Sequence, residues 1–332
     1  MGKAAYYFVI SILARAIFCQ ESSRVPPEGG FLKREYSLSK PYSGNGMTIP
    51  FWDFRDNAMI TNNFISLTTN HQGQLGSVWS KIPCHLRDWE IHMQFKIFGG
   101  GRTLAADGLA IWYTYSRLTP GPVFGSRDEF EGLGIFLDTY KNGDQPVTFP
   151  QISAMVGNGS TKYDHMSDGQ LNSIGSCLGS FRNKDYDTTI AIRYVRQRLT
   201  IKVDIDGQDT WRECIDVPGV QLPTGYFFGV SAATGDLADN HHLIGFKFYE
   251  LDITRTAEEE AEDWSTIKPG VFGKPPIDNR DDSGTGDYRN TSISGFKLFL
   301  IIVCALLGVG VCVVVGVVVF QKRQEQNRKR FY

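Results

Sequence analysis

The chain has 332 residues, 42% of them apolar and 21% charged, with 34 Lys and Arg against 36 Asp and Glu for a formal charge of -2. Length alone would suggest two or three domains, but segments that do not fold in water must first be set aside, and the near-neutral balance gives no reason to expect nucleic acid as a partner.

Lys3 precedes an apolar run from Ala4 to Phe18 that Arg15 interrupts, and polar residues begin at Gln20 and Glu21. The run is too short to span a bilayer and predicts a secretory signal over residues 1–20, with cleavage open between the small residues Ala14 and Ala16 and the position at Cys19. From Leu32 to Ile253 short alternating runs rich in aromatic and β-branched residues are separated by Gly, Pro, Asn and Asp. That spacing predicts strands over Trp89–Ile97, Leu109–Thr114, Leu133–Thr139, Thr188–Tyr194, Leu199–Asp204, Tyr226–Ala232 and Ile244–Leu251. Polar and apolar residues alternate with period two from Glu90 to Ile97, so one face should be buried and the other wet. No long stretch carries a helical period, and the expected fold class is all-β, an antiparallel two-sheet sandwich over residues 32–255.

Composition then shifts to Glu258, Glu259, Glu260, Glu262 and Asp263, followed by Pro, Gly and Asp, which predicts an acidic stalk over 256–296 that starts with at most a short helix. Leu298 to Phe320 holds no charge and no proline, about the 20 residues a helix needs to cross ~30 Å of hydrocarbon, so one transmembrane helix is expected at 297–320. Lys322, Arg323, Arg328, Lys329 and Arg330 follow it and Asp281, Asp282 and Asp287 precede it, so the tail 321–332 is expected on the cytoplasmic side and everything before the span in the lumen. In that oxidising compartment Cys84, Cys177 and Cys214 remain once the signal and span cysteines are set aside. A Cys177–Cys214 bond would close a loop of about 36 residues, worth ~3 to 4 kcal/mol in the chain-entropy model, and leave Cys84 as a buried free thiol.

Unusual residues concentrate in Ala105–Gly108, Phe136–Asn142 and Tyr163–Asp168. Calcium takes six to eight oxygens from carboxylates, amides, main-chain carbonyls and water. In an extended segment alternate residues share a side, so Asp138 and Asn142 can face one ion with the Tyr140 carbonyl between them, and Asp168 would complete the set from another loop. Hard oxygens without cysteine argue against zinc or iron. Any one of these residues taken singly is more simply a turn former. Asp138 departs from that simpler reading because it ends the apolar run Leu133–Leu137, where a carboxylate needs a partner.

The Ala-Asp-Gly motif, the Phe-Leu-Asp-Thr-Tyr-Lys-Asn stretch and Gly235-Asp236-Leu237 resemble the leguminous-type lectin family. Leu32–Glu35, Trp52–Phe54, Pro120–Gly125, Leu222–Tyr226 and the final Lys329-Arg330-Phe331-Tyr332 are similar to the vesicular integral-membrane lectins of the animal ER and Golgi. The resemblance implies a jelly-roll sandwich, no enzymatic activity, calcium held by Asp138, Tyr140, Asn142 and Asp168, and mannose held by Asp107, Asn142 and His165 with Gly235, Asp236 and Leu237 closing the other side. It further implies a cis peptide bond between Ala106 and Asp107. The implied partners are high-mannose N-glycans of glycoprotein cargo, the membrane, and vesicle coat proteins that read the tail in the ER, intermediate compartment and Golgi. Gly73 departs from the pattern, standing where close relatives carry a sugar-contacting serine.

His165, three residues from Asp168, should weaken sugar binding as pH falls from about 7 toward 5.5, its reference pKa being ~6.5. Asn158-Gly159-Ser160 is an N-glycosylation acceptor by pattern, a better placed one than Asn290. Two other classes compete with a lectin: a glycosidase using Asp107 and Asp138 as paired carboxylates, and a structural ectodomain without sugar affinity, which Gly73 would favour.

Overall fold

The computed structural model describes residues 27, 29–42, 49–101, 105–143 and 149–273. The expected signal, the span at 297–320 and the tail residues Lys329, Arg330, Phe331 and Tyr332 lie outside them. Each expected strand is present and runs slightly longer than its apolar core: Trp89–Phe98, Gly108–Thr114, Glu131–Asp138, Thr188–Val195, Arg198–Asp204, Phe227–Ala233 and Asn240–Leu251. Weaker patterns supply the remaining strands, such as Trp52–Asp56, Leu75–Ser80 and Gln151–Asn158.

The strands form two large antiparallel sheets. One runs Arg212–Pro218, Arg198–Asp204, Thr188–Val195, Trp89–Phe98, Asn240–Leu251, Ile65–Thr68, Met59–Ile60, with Gly30–Leu32 also paired to Asn240–Leu251. The other runs Gly175–Leu178, Gln151–Asn158, Glu131–Asp138, Gly108–Thr114, Phe227–Ala233, Leu75–Ser80, Trp52–Asp56. Between them lies the main core, in which Trp89 meets Phe228 edge-on at 5.1 Å and Tyr113 packs on Phe228 at 4.7 Å. Cys177 and Cys214, on edge strands of the two sheets, are joined by a disulfide, and Cys84 is free and buried. Burial pushes the Cys84 thiol up to about 12, which keeps it protonated and unreactive.

A second cluster covers the outer face of the seven-stranded sheet. Trp112 and Phe136 on the strands are capped by Phe124, Phe130 and Tyr163 from the connections, so Gly108–Thr114 is buried on both faces. These loops are thereby held down on rigid strands at the end where the candidate site forms.

Two expectations need correction. The alternation in Glu90–Ile97 does point Ile91, Met93, Phe95 and Ile97 inward, but its other face is wet only toward Gln94 and Lys96. Glu90 and His92 are buried, because Glu90 accepts from Arg193 at 2.6 Å, contacts His92 at 2.6 Å, and the His92 ring lies against Trp211 and Tyr249.

The stalk expected from 256 stays on the domain as far as 273. Thr256 and Glu259 form a reciprocal capping box that starts the helix Ala257–Ala261. The Arg87 guanidinium donates to the carbonyls of Glu259, Glu260 and Glu262 and lies over Trp264 at 5.3 Å. Gly270–Val271 then pairs with Val220–Gln221, and Val271 packs on the core. An acidic composition hid this because the contacts are made by carbonyls and by two apolar residues spaced too far apart to show a period. Partly burying a valine side chain is worth about 1 kcal/mol, and a domain of this size shifts its melting point by about 2–4 °C per kcal/mol. A chain ended after Arg255 should therefore melt about 2–4 °C below one ended after Gly273 in a thermal scan.

Candidate functional site

Three connections meet at one end of the outer, seven-stranded sheet. Asp107 precedes the strand Gly108–Thr114, Asp138 ends Glu131–Asp138 and lies directly across the ladder from Gly108, and the loop 163–168 folds over both. The Ala106–Asp107 bond is cis, as the family resemblance implied. Gly108 has φ +145°, and a Cβ there would stand 2.4 Å from the Leu137 carbonyl and 2.8 Å from the Phe124 ring, so the motif requires glycine after its aspartate.

Asp107, Asp138, Tyr140, Asn142 and His165 line one depression of about 190 Å³ together with Pro122, Phe124 and Tyr163. Asp168 lies fully buried beside it, and its Oδ1 accepts from the Asn142 main-chain N–H at 3.1 Å and from Asn142 Nδ2 at 2.8 Å. The 163–168 loop is shaped by Asp164, which accepts from the Met166 N–H at 3.1 Å and the Ser167 hydroxyl at 2.5 Å and so caps the short 3-10 turn His165–Ser167. The His165 ring rests edge-on against Tyr163 at 5.0 Å.

Gly235 stands against Asp107, since a Cβ there would lie 3.3 Å from Asp107 Oδ1. Asp236 follows it exposed, then Leu237 half-buried. Their loop is clasped by residues 71–74: Thr234 donates to the His71 carbonyl at 2.7 Å, Gly73 N–H to the Gly235 carbonyl at 3.2 Å, and Gln72 Nε2 to the Asp236 carbonyl at 2.5 Å. Gly73 is thus part of the wall, at φ +67° with open space around its Cβ position, and offers no hydroxyl.

The electrostatics of this cradle disfavour bare carboxylates and favour a proton or a cation beside them. Burial pushes the Asp138 carboxyl well above the usual carboxylate range; the Tyr140 N–H, 2.9 Å from its Oδ1, opposes that, and the charges of Asp168 and Asp107 reinforce it. Asp107 is raised by burial and then by Asp236, with His165 opposing. Asp168 is raised by burial, against two N–H donors from Asn142. Asp168 Oδ2 and the Thr139 and Tyr163 hydroxyls are buried with no hydrogen-bond partner among the described residues. An ionised carboxylate left like this costs several kcal/mol, so it must protonate or gain a positive partner. No three His, Cys, Asp or Glu side chains among the described residues converge into a cage by themselves. The remaining oxygens available are an amide and a main-chain carbonyl, at Asn142 and Tyr140, and such a hard, mixed oxygen set fits calcium and not a thiolate- or imidazole-seeking metal.

The sequence marks Pro122 and Phe124 within Pro120–Gly125 and Tyr163 within Tyr163–Asp168 without giving them a role. Phe124 and Tyr163 belong to the outer aromatic cluster, and the signal for them was the aromatic density flanking Pro120–Gly125 and Asp164.

An all-β sandwich carrying at one end a shallow acid-and-amide depression, built on loops and fitted to calcium, is the architecture of a carbohydrate-binding domain. The model of the legume-like lectin family matches residues 30–259, and the chain belongs to that family. It is 53% identical over 305 residues to the vesicular integral-membrane protein VIP36 of Mus musculus, covering 91% of this chain and 85% of the relative. It is 48% identical over 307 residues to the VIP36-like protein of Homo sapiens, covering 91% and 86%. Among solved structures it is similar to the exoplasmic/lumenal domain of VIP36 in a Ca2+/Man3GlcNAc-bound form, at 48% identity and a TM-score of 0.69, covering 73% of this chain and all of that one.

Proposed function

We propose that this protein is a calcium-dependent lectin that binds high-mannose N-glycans of glycoproteins in the early secretory pathway and acts there as a cargo receptor or quality-control lectin. The observation that carries the reading is the juxtaposition of Asp107, Asn142 and His165 on a depression that the buried, under-compensated Asp138 lines, with buried Asp168 beside it. Asp138, Asp168, the Asn142 amide oxygen and the Tyr140 carbonyl would hold calcium, whose charge would offset the two carboxylates and fix the loops that carry them. Asp107 then accepts from vicinal sugar hydroxyls, the Asn142 amide and the His165 ring complete the polar contacts, and Gly235, Asp236 and Leu237 form the opposing edge. Because the loops are ordered before the sugar arrives, ordering entropy is removed from the cost of binding. One mannose should bind at about millimolar, roughly -4 kcal/mol, and longer oligomannose arms more tightly.

The relatives place the chain among carbohydrate-binding proteins and not enzymes. A paired-carboxylate glycosidase needs both side chains free at the scissile bond, whereas Asp138 is 3% exposed beneath the Tyr140 N–H. The remaining assignments are part of the same proposal: a single membrane span at 297–320, sorting through Lys329, Arg330, Phe331 and Tyr332 by vesicle coats, and residence in ER, intermediate-compartment and Golgi membranes. Asn158 is exposed, and its Oδ1 accepts from the Ser160 and Thr161 hydroxyls and N–H groups, an ordered turn that presents the acceptor amide for glycosylation.

The purified protein applied to a glycan array should capture high-mannose glycans with calcium and lose at least tenfold in signal with chelator. Equal capture in both conditions, or none in either, would overturn the reading.

A further inference from the structure

Behind the sugar-binding wall lies an ion pair to which the proposed function gives no role. Arg182 donates through Nε to Asp239 Oδ2 at 2.7 Å and through Nη2 to Asp239 Oδ1 at 2.8 Å. Its third nitrogen, Nη1, donates to the Gly101 carbonyl at 2.7 Å. Asp239 is fully buried and the Arg182 side chain nearly so. Gly99 is packed so closely on the pair that a Cβ would lie 1.9 Å from Asp239 Oδ1.

The pair holds the outer end of the connection that carries Gly235, Asp236 and Leu237, since Asp239 stands three residues after Asp236. At its inner end that connection touches Asp107, through Asp107 N–H on the Ala233 carbonyl at 3.2 Å and through Gly235 against the Asp107 carboxylate. At its outer end the guanidinium ties Asp239 to the Gly101 carbonyl. Arg182 is itself anchored next door, where Asn183 N–H donates to the Ile97 carbonyl at 2.9 Å and Asn183 Oδ1 accepts from Gly99 N–H at 3.0 Å. The Asp239 carbonyl accepts from Thr68 Oγ1 at 3.1 Å, so the aspartate is held from its main chain as well.

We infer that Arg182 is a positioning residue for glycan binding: through Asp239, which it ties to the Gly101 carbonyl, it sets where the Gly235–Leu237 loop stands against Asp107. It touches neither the calcium ligands nor the depression. The inference rests on the lectin reading above and assigns to this pair a part in it that stability alone would not require. A planar fork satisfying both oxygens of one carboxylate and a carbonyl on another loop fixes angle as well as distance, which a single ammonium point charge cannot do. Keeping the charge while removing the fork therefore separates positioning from burial of an unpaired carboxylate.

The test compares full-length wild-type protein, Arg182→Lys and Thr68→Val, each in detergent, by calorimetric titration with calcium and then with an oligomannose at saturating calcium. Arg182→Lys should bind calcium within about threefold of wild type, stay cooperatively folded, and lose about tenfold or more in oligomannose affinity. Thr68→Val, which spares the fork, should lose threefold or less. Equal oligomannose affinity for wild type and Arg182→Lys would overturn the positioning role while leaving the lectin reading in place; no binding by wild type would overturn the lectin reading itself. Should Arg182→Lys fail to fold, amide exchange decides on wild type: mannose should slow exchange at Gly101 and Asn240 as it does at Gly235, and unchanged rates at both would overturn the inference.

Discussion

Asp138→Asn should raise the melting temperature of the protein in chelator while erasing the stabilisation that calcium brings to the wild type. Without a cation, Asp138 sits 3% exposed with Asp168 and Asp107 nearby and one N–H donor from Tyr140, and burial lifts its carboxyl well above the ordinary range. A group in that condition subtracts stability at neutral pH, because folding must either discharge it or strand it. The neutral amide can keep the Tyr140 hydrogen bond through its own oxygen, and its extra donor costs only about 1–3 kcal/mol against the several a buried carboxylate costs. In the wild type, calcium at a hundred times its dissociation constant should add about 2.7 kcal/mol, or roughly 5–10 °C in a domain of this size. The variant should show neither that rise nor measurable mannose capture, a loss of about a hundredfold or more. Differential scanning calorimetry with and without calcium checks both halves. A variant that still gains stability from calcium would show that the cation sits elsewhere.

The fold was legible wherever burial is one-sided or complete over a whole strand, as in Thr188–Tyr194 or Leu133–Thr139, because period and composition then coincide. It was less legible where a strand is short or polar. Gln151–Asn158 carries a glutamine at its start and an exposed asparagine at its end, and its membership of the sheet is decided by the ladder to Glu131–Asp138. Period alone makes Glu90 and His92 wet, but the residues that cover them, Arg193, Trp211 and Tyr249, come from three other segments.

The candidate site shows the same division. Asp138 could be singled out from sequence because an aspartate closing an apolar run is locally inconsistent, and such inconsistencies gather at functional sites. The nearness of Asn142 and Asp168 to it depends on how the loop 163–168 folds back, which Asp164 decides by capping a single turn. The pair Arg182–Asp239 had no sequence signal at all: both residues are common turn and surface types, 57 residues apart, and only the close approach of Gly99 makes their burial possible.

Acid should release calcium through the carboxylates that hold it, with His165 dispensable for that step. The folded-state carboxyls of Asp138 and Asp168 are raised in the ion-free protein, both by burial first. A carboxyl raised in the folded state binds its proton more tightly there than in the unfolded chain, so the ion-free protein is relieved of that penalty as pH falls through the raised value toward the unfolded ~3.9. Calcium requires the same groups ionised, so each proton taken up opposes the ion. The melting temperatures with calcium and with chelator should therefore converge as pH is lowered from 7 to 5. Other titrations do not confuse the difference. Burial holds His241 at about 3 and His242 at about 4, so below ~6.5 both take up protons chiefly on unfolding and destabilise the two forms alike. Measured without sugar, His165→Asn should converge over the same range as wild type, and any acid effect specific to His165 should appear only in mannose titrations at saturating calcium. If instead His165→Asn keeps the calcium-dependent gap open at pH 5, the histidine and not the aspartate pair is the group through which protons displace the ion.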